Sequence, residues 1–166
     1  MKIWSGFFTF ALILILAGCG GISEKEMKTQ ARQNAAKSFE AKPEKPNEKM
    51  ESGSFYMPSG FSISSKKKNN AILKKNQNEF LLFINTKERK DSKESYRLLK
   101  KEYKNRLVDQ TFEEGGEFGY LLLYKLKKNE YEITCGVGGN KLTSILKREA
   151  VPAAASEMMK VLKSIR

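Results

Sequence analysis

The sequence has no histidine, two cysteines, one tryptophan and four prolines in 166 residues. Without histidine it lacks the commonest general base near neutral pH and the commonest metal-ligating ring. Ser–His and Cys–His nucleophilic pairs are therefore excluded, and no metal or cofactor is expected. A phosphate loop is missing too. Gly136-Val137-Gly138-Gly139 is glycine-rich, but no Lys-Ser or Lys-Thr follows at the required spacing, so it reads as a hairpin turn. Glu113, Glu114 and Glu117 flank a glycine pair and read as solvated acids rather than a cation site. An enzyme built on carboxylates or tyrosines alone has no motif in its favour, and the chain is read as non-catalytic.

What the sequence has in excess is lysine. Lysine and arginine total 31 against 19 acids, a formal charge of +12. The excess is uneven: residues 57–166 hold 23 bases and 13 acids, while residues 20–56 hold seven and six. A basic surface suits anionic lipid heads, envelope polymers or nucleic acid, and a plain solvated lysine surface gives the same count.

The chain opens Met1-Lys2 and then runs apolar from Ile3 to Ala17. A stretch of roughly 15 residues fits the core of an export signal and falls short of the ~20 needed for a permanent membrane-spanning helix. It ends in Leu16-Ala17-Gly18-Cys19. These four residues resemble the lipobox of bacterial lipoproteins. The resemblance implies a diacylglycerol thioether on Cys19 and cleavage between Gly18 and Cys19. Two acyl chains give stable attachment where one is marginal. Cys135 would then be left without a disulfide partner. Gly20 stands where an aspartate resembles the inner-membrane retention signal of Gram-negative bacteria. The expected location is the outer face of a Gram-positive cell membrane, a compartment that disfavours nucleic acid as a partner.

Residues 20–56 contain few large apolar side chains and carry Pro43 and Pro46. They read as a flexible tether with transient helix over Ser23–Ala41. As a coil they would span about 30–35 Å. The globular domain is expected from Met57 to Arg166.

Within that domain, short strands are expected at Phe61–Ser64, Ala71–Lys75, Leu107–Phe112, Tyr131–Val137 and Leu142–Lys147. Phe118–Leu126 reads as a long one. Glu79–Asn85 contains Phe80-Leu81-Leu82-Phe83-Ile84, a continuous run that suits a strand covered on both faces. Asp91–Arg106 predicts a helix with Asp91 as N-cap and an apolar stripe of Tyr96, Leu99, Tyr103 and Leu107. Arg97, Lys100, Lys101 and Lys104 lie off that stripe and form a candidate basic contact face. A second helix follows Pro152, with Ala154, Met158, Val161 and Ile165 inward.

The fold class is α+β, an antiparallel sheet of about six or seven strands with two main helices, after a signal peptide and a tether. Pro58-Ser59-Gly60-Phe61 before the first strand, the helix Ser92–Arg106, the long hairpins and the Met158–Ile165 helix together resemble the PsbP, Mog and DcrB superfamily. The resemblance covers about Pro58 to Arg166. It implies an antiparallel sheet between helices and an accessory or partner-binding role, with no ligand residues carried over. The expected function is a membrane-anchored binding module contacting an envelope protein or anionic polymer. The alternative is a structural or assembly factor of an envelope or spore complex.

Overall fold

Ser23 caps the first helix of the computed structural model, which describes residues 21–166. Its hydroxyl accepts from the Glu26 amide, and the Glu26 carboxylate accepts from the Ser23 amide, so two free helix-end donors are satisfied reciprocally. Helix α1 runs Glu24–Glu40 and buries Met27, Ala31, Ala35 and Phe39 completely or nearly so. Those residues recur every fourth position, which makes one face of the helix. The tether expected over residues 20–56 is therefore corrected. Residues 24–40 of it are helix packed in the core, and a hairpin of β1 (Glu48–Met50) and β2 (Gly53–Phe55) follows. Alanines at the crossing let α1 approach closely, so a count of large apolar side chains undervalued this face. The lipobox and the apolar leader lie outside the described residues.

Seven strands form one antiparallel sheet: β3 (Ser62–Lys66), β4 (Asn70–Lys75), β5 (Asn78–Phe83), β6 (Arg106–Glu114), β7 (Glu117–Lys127), β8 (Glu130–Val137) and β9 (Asn140–Leu146). Their order across the sheet is β3-β4-β5-β9-β8-β7-β6. The architecture is α+β with a seven-stranded antiparallel sheet, as expected, and three α-helices among the described residues.

One face of the sheet meets α1 and α3 (Val151–Lys163). Leu73, Leu82, Leu121, Leu123, Ile133 and Leu142 point there and are fully buried. Ala154, Met158, Val161 and Ile165 meet them from α3. The two helices run side by side and in the same direction: Asn34 Nδ2 donates to Pro152 O at 2.9 Å, and one turn on, the Ser38 and Ser156 hydroxyls are 2.9 Å apart. Phe39 stacks on Phe112 with ring centroids 5.5 Å apart. The C-terminus closes the fold, since Arg166 and Ser54 exchange two backbone hydrogen bonds of 2.9 and 3.0 Å.

Helix α2 (Glu94–Glu102) lies on the other face. It is shorter than the expected Asp91–Arg106. Asp91 does not cap it; both carboxylate oxygens accept from Arg89 at 3.1 Å. Tyr96, Leu99 and Tyr103 pack on Phe118, Tyr120, Leu122 and Tyr124. Leu107 departs from the expected stripe, because the chain has left the helix and β6 turns that side chain into the main core. Tyr120 lies across Gly136, where a Cβ would stand 2.0 Å from its ring. Only glycine lets the tyrosine lie that close to the sheet.

Candidate interaction surface

Side chains alternate across a strand, so register defines the outer face. Ser65, Ile72, Leu81, Thr143, Thr134, Leu122 and Asp109 are successive cross-strand partners and form one row over all seven strands. Helix α2 covers the Leu122 end of that row. The Thr134 and Thr143 hydroxyls bond at 2.9 Å in the middle. The other end, over β4, β5 and β9, is bare. Leu81 is 51% exposed and Ile145 is 54% exposed. Ile72, Leu81, Thr143 and Ile145 line a shallow open groove of about 560 Å³, with Glu79 and Glu132 at its edge.

This corrects the expectation that Phe80–Ile84 is covered on both sides. Phe80, Leu82 and Ile84 are buried, while Leu81 faces solvent. Exposed aliphatic side chains lining one groove on a sheet face suit association.

Lysines border the groove. Lys74 pairs with Glu79 at 3.0 Å, and the Lys141 ammonium stands 5.9 Å from the Phe83 ring centroid. Burial pushes the Glu132 carboxyl above its ordinary value, and the nearby Glu102 adds to the effect.

The candidate basic face divides into paired and unpaired residues. Arg97 and Lys100 have partners: Arg97 Nη1 is 3.7 Å from Glu94 Oε2, and Lys100 Nζ is 3.1 Å from Asp109 Oδ2. Lys101 lies on α2, whereas Lys104 lies beyond its end in the connection to β6. Neither makes an ion pair among the described residues. Asp109 also accepts from the Tyr96 hydroxyl at 2.7 Å and from Arg106 Nε at 3.1 Å. Burial raises the Asp109 pKa, but its Tyr96 and Lys100 hydrogen bonds outweigh that and hold it below the ordinary value. The cluster ties α2 to β6, so Lys100 has a structural partner on this surface.

The remaining chemistry-bearing residues are placed apart. Cys135 is fully buried against the Ala155 carbonyl, and burial pushes its thiol well above the ordinary value. Tyr120 is buried with no hydrogen-bond partner for its hydroxyl, and burial raises its pKa. Glu113 pairs with Lys93 at 2.6 Å, and Glu117 pairs with Lys90 and Lys163. Among the described residues no three potential metal ligands cluster, and no helix is long and apolar enough to cross a membrane. No protein-family model matches the chain, and no curated protein is significantly similar to it.

Proposed function

We propose that the chain is a lipoprotein of the outer face of a cell membrane whose domain is a binding module for an envelope protein. The bare half of the outer sheet face carries this reading. Leu81 and Ile145 are each about half exposed on a sheet face whose other half is covered by α2. The partner's recognition chemistry is an apolar segment whose side chains would lie on Ile72, Leu81 and Ile145. The Leu16-Ala17-Gly18-Cys19 motif supports attachment through Cys19. A sheet between helices, the layout implied by the PsbP-like resemblance, supports an accessory role.

The test is photo-crosslinking in intact cells from a reactive amino acid placed at Leu81 or Ile145. One dominant crosslinked protein is expected, lost when the other position is changed to lysine. Equal labelling of many proteins, unchanged by the lysine, would overturn the reading. A stoichiometric crosslinked complex would favour the assembly-factor alternative, and a minor transient species the binding module.

A further inference from the structure

The first described residues sit at one end of the sheet. Arg148 Nη1 donates to Ile22 O at 3.3 Å, and Glu149 Oε1 lies 2.9 Å from where a Cβ on Gly21 would stand. Glu24 accepts from Lys125 Nζ at 2.7 Å and from the Tyr131 hydroxyl at 3.0 Å. Cys19 is two residues before Gly21, so it lies within about 7 Å of it along the chain. With residues 24–40 folded into the domain, no long spacer stands between Cys19 and this end.

We propose that this end, led by the β7–β8 turn, docks on an anionic phospholipid surface. The proposal rests on lipidation of Cys19. The turn presents Lys125, Leu126, Lys127 and Lys128, with Leu126 49% exposed. Lys147 and Arg148 stand beside it at the end of β9. The acids here are Glu24, Glu26, Glu130 and Glu149, and Glu130 is shared by Lys127 at 3.1 Å and Lys147 at 3.0 Å. With Lys25 on the first turn of α1, six bases thus face four acids, and Lys128 makes no ion pair among the described residues. An exposed leucine between lysines suits a headgroup layer. The aliphatic side chain enters the acyl boundary while the ammonium groups stay with the phosphates. The opposite end of β7 carries the turn with Glu113, Glu114 and Glu117. Eleven residues of strand put that turn about 35 Å from the membrane.

The mature lipoprotein is reconstituted in vesicles of phosphatidylglycerol and phosphatidylcholine with brominated acyl chains. Trp4 is the sequence's single tryptophan and precedes Cys19, so L126W supplies the only indole of the mature chain. Bromolipid should quench L126W emission by about twofold or more, leave L81W unquenched, and quench L126W far less in phosphatidylcholine alone. Flotation with the vesicles at high salt reports the acyl anchor separately. A protein that floats with L126W unquenched, or with L81W quenched equally, overturns the docking and leaves lipidation standing. Equal quenching of L126W in both vesicle types overturns the assignment to anionic lipid. A protein that does not float at high salt overturns lipidation and docking together.

Discussion

Glu117 Oε2 and Lys163 Nζ lie 2.5 Å apart, joining the first residue of β7 to the last residue of α3. The Lys163 side chain is only 9% exposed and its ammonium also stands 4.4 Å from the Phe39 ring centroid. Sheet, first helix and last helix therefore meet at one charge pair. Lys90 adds a second ammonium 2.9 Å from the same carboxylate.

Replacing Glu117 by glutamine leaves Lys163 buried without a counter-charge. Urea unfolding at neutral pH should show a loss of about 2–3 kcal/mol, near the lower edge for breaking a buried pair. Burial raises the Glu117 pKa, yet the Lys163 and Lys90 hydrogen bonds outweigh it and hold the carboxyl below its ordinary value. A depressed acid contributes fully above its unfolded pKa and loses that contribution as pH falls through the folded one. The gap between wild type and E117Q should therefore be widest at neutral pH and close below about pH 4.

Phe39→Ala tests whether α1 belongs to the domain. The ring is 1% exposed, stacks on Phe112 and sits where a Cβ on Gly119 would lie 2.5 Å from it. Truncation should cost about 3–4 kcal/mol. An unchanged urea midpoint would return residues 24–40 to the status of a spacer.

Gly136→Ala should drive the Tyr120 ring off the sheet and loosen α2 with it. The expected cost is about 2–3 kcal/mol. Amides of residues 94–102 should lose hydrogen-exchange protection more than those of α1.

Leu81→Lys and Ile145→Lys should leave the unfolding midpoint almost unchanged, within about 0.5 kcal/mol, because both side chains are half exposed. Crosslinking to an envelope partner should nevertheless fall. A large loss of stability from either change would show that these residues serve the fold.

Cys135 should resist thiol reagents in the native protein and react once the chain is unfolded. The thiol is fully buried and its pKa is raised by that burial, so both access and thiolate are lacking. Native-state labelling at the rate of a free thiol would contradict the packing of β8 on α3.

All seven strands of the large sheet were legible, most from alternation between turn residues and β5 from its continuous apolar run. Asn129, with φ +58°, and the pair Gly115-Gly116 mark two hairpins directly. The first helix was legible in its bounds, as transient helix over Ser23–Ala41, but its burial was not, for a physical reason. Its buried stripe is half alanine, and alanine contributes by allowing close approach rather than by bulk. Ser23 and Glu26 did carry a signal, the Ser-x-x-Glu spacing of a capping box. The bare groove was hidden in a different way. A run such as Phe80-Leu81-Leu82-Phe83-Ile84 is equally apolar whether its second face meets a helix of the same chain or open solvent. The α2 stripe was readable as far as Tyr103, and failed at Leu107, where the period changed from helix to strand.

The side-by-side pairing of α1 and α3 also sets an order of assembly. Ser38 and Ser156, which touch, are separated by 118 residues. Helix α1 is therefore made 118 residues ahead of the turn of α3 that it touches. Until α3 has emerged, much of the α1 stripe has no mate, and closing so long a loop is slow. A nascent chain that has not yet reached α3 thus stays loose enough to be threaded or degraded.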